Sequence, residues 1–517
     1  MTWPGAYRPS ALLPSLLAVT LCAVLTGCPG EDKCGDATDN PCNPPPDETE
    51  TGLVLTQQDA FYTRRGVERR PRDFSAMPVE VIPAEGGTPV SGTVVEPGRV
   101  RFDVPPGSYL VKNSATQYIL TSARALDISG RRVGRPDRGG NPFPSPLSTP
   151  ASLNVSGLEP VPAFSSPLLY FNSLDVEESG SFFTVAGLPS GQTSLVDPNA
   201  EYYSDWGSIP RFDAGQGDTA WVLQQVERDA GTPQGASRPW KYSAVTRAAR
   251  MDPFSFDGEK MNIQATLQPL PALQLRFDLR RDEFNALRLA STQGAPAASM
   301  SLDVLPGMKD PQEGWIDYSI SQLLVFVPPR NDAQTPLTRE FTYANPYPSP
   351  WEPVAQFLLT YSFDITRHDG SRSIRTSESF FTVEPASSVA STPVRPQISL
   401  PRDFKVDGQS AQTARMLGTL TPLVTWEPPA VGTATAYTLR IDSSTPGTNT
   451  LSLVARFYTG PDERSVRLPP GVLKAGTDYV LRITAHHAPG RTPEQTWFAT
   501  AIPYASAATA SSLLTTP

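Results

Sequence analysis

The residues best suited to chemistry crowd the start of the chain. All four cysteines, Cys22, Cys28, Cys34 and Cys42, fall within the first 42 residues, and none follows across the long remainder. The thiolate is the nucleophilic form of cysteine, so each is a site where a group can be attached or a bridge closed. Cys28 has the most telling surroundings. It follows Leu25-Thr26-Gly27, and the two small residues before it let the backbone enter a narrow processing site. Upstream runs an apolar stretch from Ala11 to Leu25, with Arg8 as its only charged flank. That stretch falls short of the roughly 20 apolar residues needed to span a bilayer and suits the core of an export signal.

The order apolar run, Leu25-Thr26-Gly27, Cys28 resembles the lipobox of bacterial lipoproteins. The resemblance implies lipid on the Cys28 sulfur, cleavage before it, acylation of the new amine, and a membrane as partner. Several acyl chains hold a protein stably, because each buried CH₂ contributes about 0.8 kcal/mol. Pro29 and Gly30 follow in place of an aspartate that would favour inner-membrane retention, which implies an outer-membrane lipoprotein of the cell envelope, exposed at the cell surface. Cys34 and Cys42 remain as a candidate disulfide for an oxidising compartment. The acidic stretch Asp32 to Asn40 lacks the regular Asp spacing and closing Glu of an EF-hand, so no metal site is expected there.

Elsewhere the chemical signals are sparse. Three histidines exist, His368, His486 and His487. No G-x-S-x-G elbow, H-E-x-x-H helix or phosphate-binding glycine loop appears, so neither catalytic residues nor a cofactor are expected. His368 falls in an expected hairpin turn. His486-His487 is expected in a loop after a strand, where neighbouring side chains point apart and chelate one metal poorly. Glu177-Glu178 and Asp282-Glu283 read as solvated surface charge. Two aromatic clusters in Pro- or Gly-punctuated loops are candidate ligand contacts: Tyr202, Tyr203 and Trp206, and Tyr343, Tyr347 and Trp351. A formal charge of -9, with only short pairs such as Arg64-Arg65 and Arg69-Arg70, argues against nucleic acid as partner.

The elements that must carry these residues are strands. The 56 prolines in 517 residues disfavour helices and favour short strands between many turns. Residues 1–27 form the signal and 28–52 a flexible Pro-rich, acidic tether. In residues 53–150, Val100-Arg101-Phe102-Asp103-Val104 alternates strictly, Pro105-Pro106-Gly107 turns the chain, and Ser108-Tyr109-Leu110-Val111 returns it. This strand–turn–strand run resembles the hairpin of carboxypeptidase-regulatory-like (prealbumin-like) β-sandwich modules, which implies a core position for Tyr109. Residues 151–270 form a β-rich domain that reads as a second, poorer copy, from Gly180 to Val196. Arg131 to Thr149 reads as loop.

In residues 271–390, a further sandwich-like domain, Leu273 to Leu279 alternates, and Asp282 to Leu289 is expected as a short helix capped by Asp282. Gln356 to Thr366 and Ser373 to Val383 form an expected long hairpin around His368-Asp369-Gly370. Ala386 to Pro396 reads as a linker. In residues 396–503, Leu423 to Pro429, Ala436 to Ile441 and Leu473 to Ile483 resemble strands B, C and F of a fibronectin type III domain. The resemblance implies a core Trp426 and a tyrosine corner at Tyr479, whose hydroxyl bonds back to backbone. Ala475 stands where that family often has proline. Residues 504–517 are expected to fray as a disordered tail.

The fold class expected is therefore all-β: tandem β-sandwich domains, immunoglobulin/fibronectin III-like and prealbumin-like, behind a lipoprotein signal and tether. Such rigid domains imply a non-enzymatic binding, adhesion or scaffold protein for protein or glycan ligands. A hydrolase with its catalytic domain within 150–390, and a periplasm-facing envelope-assembly partner, are the alternatives.

Overall fold

The computed structural model describes residues 52–137, 139, 141, 142, 148–160, 168–176, 178–184, 191–203, 208–233, 237–289, 297–319, 321–329, 337–445, 450–495 and 500–517. The chain is nearly all β, arranged as β-sandwich units in tandem. Among the described residues, no helix is long and apolar enough to cross a membrane.

In the first unit one sheet orders Ala125–Asp127, Leu53–Thr56, Arg99–Phe102 and Thr93–Glu96. The second pairs Glu80–Pro83 with Val90–Ser91 and Tyr109–Lys112, which in turn pairs with Gln117–Thr121. Alternation puts Val100 and Phe102 inward against Leu53, Leu55, Val81, Tyr109 and Ile119. The expected hairpin around Pro105-Pro106-Gly107 is not one. The strands on either side belong to different sheets, so these residues carry the chain across the sandwich. Pro105 and Pro106 have no N–H to give a ladder, which suits them to the crossing. Tyr109 is buried as expected, and its Oη donates to the Pro105 carbonyl at 2.6 Å, fastening the crossing.

The second unit does not repeat this pairing. Thr149–Ser156 pairs with Ser194–Tyr203, and the ladder continues through Glu178–Thr184, Leu168–Ser173, Ala220–Asp229 and Lys241–Met251. It returns through Gln268–Pro269 and Met261–Thr266, the latter parallel to Thr149–Ser156. The sheet thus closes on itself as a small barrel. Phe171 fills its centre, in ring contact with Phe183, Tyr202, Phe212 and Phe254.

The third unit is built on the strands Ala297–Asp310, Trp351–Thr366 and Ser373–Pro385. The last two form the long hairpin read from the sequence, with Gly370 at φ +74° in its turn. The pair Leu273–Leu279 and Leu337–Tyr343 forms a separate two-stranded sheet whose buried residues share one apolar core with the long strands. The helix Arg281–Leu289 starts one residue earlier than expected, which puts Asp282 inside its first turn. The segment expected as a linker holds a short helix, Ala386–Ser391, whose Ala386 and Val389 are buried against the core.

In the last unit, Gln409–Ser410, Arg402–Val406, Leu423–Glu427 and Ser465–Arg467 form one sheet. Facing it are Leu451–Thr459, Ala436–Ser444, Asp478–His487 and Tyr504–Ala510. Trp426 is buried with its ring 5.5 Å from that of Tyr437. Tyr479 is buried, and its Oη accepts from the Lys474 backbone N–H at 2.8 Å. The expected frayed tail is instead the fourth strand of this sheet, Tyr504–Ala510, followed by a buried Leu513 and Leu514. Its small alternating residues let it lie between two larger strands.

Three pairings fuse the units into one ladder. Gln117–Thr121 of the first runs parallel to Leu451–Thr459 of the last, with Tyr118 stacked on Phe457 at 4.7 Å. Ser373–Pro385 pairs with Tyr504–Ala510, and Lys241–Met251 pairs with Leu324–Phe326.

Candidate functional site

Cys28, Cys34, Cys42 and Trp206 lie outside the described residues. The other candidate contacts are not brought together as an open platform. Tyr202 is fully buried in the barrel, between Phe171 and Phe183. Tyr203, its neighbour on the strand, is half-buried and donates its hydroxyl to Glu201. Tyr343 is buried in the third unit. Tyr347 is buried too, its ring 5.4 Å from Trp221 of the barrel and 6.3 Å from half-buried Trp351. Burial pushes the Tyr347 hydroxyl well above its ordinary pKa. The Tyr347 ring carries too much apolar area to stay in water when a neighbouring unit can cover it, so it packs on Trp221 at the joint between barrel and third unit.

The histidines are similarly placed. His368 is exposed in its turn, as expected. His486 and His487 end the strand Asp478–His487 rather than sitting in a loop, and their side chains do point apart. His486 is buried, with Nε2 2.8 Å from Thr438 Oγ1 and Nδ1 2.7 Å from Tyr504 Oη. Burial pushes its pKa down to about 3, so it is neutral. His487 meets the Thr433 carbonyl at 3.0 Å. Glu283 pairs with Arg395 at 2.9 Å. The described residues hold no group of three or more His, Cys, Asp or Glu fit for a metal.

The feature sequence reasoning missed is a hairpin arm, Gln58–Thr63 with Gly66–Pro71. It leaves the first unit as a continuation of Leu53–Thr56 and grips two others. Arg64 Nε lies 3.1 Å from Asp175 of the barrel, and its Nη2 donates to Thr219 Oγ1 at 2.5 Å. Burial raises the Asp175 pKa, while the Thr219 hydrogen bond and the Arg64 charge pull it back. Arg65 donates to Gln216 Oε1 and the Gly215 carbonyl. Tyr62 Oη donates to Glu313 Oε2 of the third unit at 2.5 Å, beside Arg131, and Tyr62 packs with Ile316. The only sequence signal was the pair Arg64-Arg65, which looks like any solvated charge.

Two clefts open on the first unit. One of about 400 Å³ is lined by Arg72, Met77, Glu80, Lys112 and Asn113. Its charges are engaged: Arg72 donates to Gln57 and Asn113, and Lys112 pairs with Glu80 at 3.1 Å. The other, about 270 Å³, lies between the first and last units, lined by Leu110, Leu120, Leu423, Val466, Glu463 and Arg467. No protein-family model matches the chain, and no curated protein is similar to it.

Proposed function

We propose that this protein is an exported lipoprotein, fixed to a membrane by lipid on Cys28, whose β-body serves as a non-enzymatic binding or scaffold protein. The ligand class is protein or glycan, met at the surface of an outer membrane. The apolar run and Leu25-Thr26-Gly27-Cys28 support the anchor. The observation that carries the scaffold reading is the unbroken ladder through the units, which holds their loops in one fixed arrangement. Preorganised surfaces bind well because little freedom is lost on contact.

The same reading takes the last unit as fibronectin type III-like, supported by its two-sheet order and the bond from Lys474 N–H to Tyr479 Oη. It takes the first as prealbumin-like, supported by the core position of Tyr109.

Labelled palmitate given to cells tests the anchor. The chain should carry label, and Cys28→Ala should lose it and move to the soluble fraction. An unlabelled chain that fractionates identically with Ala at 28 overturns the reading. Glycan and protein arrays test the body: saturable retention without product is expected, and turnover would replace the binder by an enzyme.

A further inference from the structure

Tension on a lipid at Cys28 would reach the body at Gly52. From there the chain runs as strand from Leu53 to Thr63, with only Gln57 between its halves. The strand is paired on both sides. Leu53–Thr56 lies between Arg99–Phe102 and Ala125–Asp127, and Gln58–Thr63 lies between Gly66–Pro71 and Arg131–Val133. Leu53 and Leu55 are fully buried. The entrance is tight: Gly52 has φ +143°, and a Cβ there would stand 2.6 Å from the Phe102 carbonyl oxygen. The far end is gripped by the barrel and third unit through Arg64, Arg65 and Tyr62.

An edge strand can be peeled, breaking its hydrogen bonds one after another. A strand held on both flanks and pulled from its end must slide, loading many bonds together. The tether side therefore meets the body at an element that resists peeling. The contacts of Arg64, Arg65 and Tyr62 at the far end couple this strand directly to two more units.

We propose that the strand from Leu53 to Thr63 is a load-bearing anchor, converting tension on the lipid into shear and handing it to the barrel and third unit. Its setting rests on the lipid reading of Cys28, whereas its mechanics do not. Single-molecule pulling tests it on the chain from residue 28 onward, made without lipid and with Cys34→Ser and Cys42→Ser. One handle is the Cys28 thiol, and the other is Val196→Cys on the barrel, a residue 74% exposed. The comparison chain carries Cys28→Ser and takes its first handle at Val95→Cys, on the edge strand Thr93–Glu96. First rupture should need higher force through Cys28 than through position 95. Arg64→Gln with Arg65→Gln, checked for folding by circular dichroism, should lower the force through Cys28. Equal or lower force through Cys28, or no loss in the double variant, overturns the anchor. Missing palmitate label alongside high force would sink the lipid reading instead.

Discussion

Asp303 should make the protein less stable than it could be at alkaline pH, and Asp303→Asn should reveal by how much. The side chain sits on the long strand of the third unit, opposite Val325 and Gln356, neither of which can ionise. It is buried, and burial pushes its pKa up to about 7 from an ordinary 3.8, against hydrogen bonds from Ser301 and Gln322. Gln322 Nε2 donates to Asp303 Oδ1 at 3.1 Å, and the Gln322 carbonyl accepts from Gln225 Nε2 of the barrel at 2.6 Å. Asp303 therefore stands at one end of a polar chain across the joint between the two units.

The sign follows from which state holds the proton more tightly. The folded protein binds it better, so the stabilisation is complete below pH 3.8 and is lost as pH rises through about 7. The rise from 3.8 to about 7, at about 1.4 kcal/mol for each pH unit, sets the cost of ionising at roughly 4 kcal/mol. Asparagine keeps the shape and the acceptor for Gln322 but cannot ionise. Allowing for a weaker hydrogen bond to a neutral acceptor, the gain at pH 8 should be about 2–3 kcal/mol, shrinking towards zero at pH 5. Urea unfolding at the two pH values measures it, as a rise in midpoint at pH 8 only. A variant no more stable than the parent at pH 8, or equally stabilised at both, refutes the reasoning.

Two further outcomes follow from buried groups and strand order. His486, neutral with its pKa down at about 3, should cost stability as pH falls from about 6.5 towards that value, since only the unfolded chain then takes the proton. His486→Gln should flatten this slope of about 1.4 kcal/mol per pH unit, and an unchanged slope counts against it. A chain stopped after Pro503 loses the strand that joins Ser373–Pro385 to Asp478–His487. It should fail to give soluble protein with native circular dichroism, and a normal spectrum would show the final strand to be dispensable.

The local architecture was legible because it is written in neighbouring residues. Alternation along Trp351–Thr366 and an Asp-Gly turn are enough to define a hairpin. Tyr479 could be placed because its partner, Lys474, is five positions away. What could not be read depends on distant pairs. Nothing in Gln117–Thr121 names Leu451–Thr459 as its neighbour, since both edges merely look like strands. The aromatic clusters misled for a related reason. Pro346, Pro348 and Pro350 mark a loop correctly, but whether a loop faces water depends on the barrel, whose Trp221 packs against Tyr347. Small alternating residues in Tyr504–Ala510 gave no hydrophobic signal, although a strand squeezed between two others needs small side chains.

The fusion of the units has a physical logic that independent domains would lack. Every open sheet has two edges with unpaired backbone groups, each a template for unwanted pairing. Separate sandwiches strung on linkers would multiply such edges along the chain. Here the edge strand Gln117–Thr121 is covered by Leu451–Thr459, Tyr504–Ala510 by Ser373–Pro385, and the barrel has closed its own sheet. Two edges of the first unit are blunted in other ways. Gly66–Pro71 carries Arg69, Arg70 and a terminal proline, and Thr93–Glu96 is only four residues long with a bulge between Val94 and Glu96. The pairings that join the units into one ladder therefore also cover edges through which neighbouring copies would pair and aggregate.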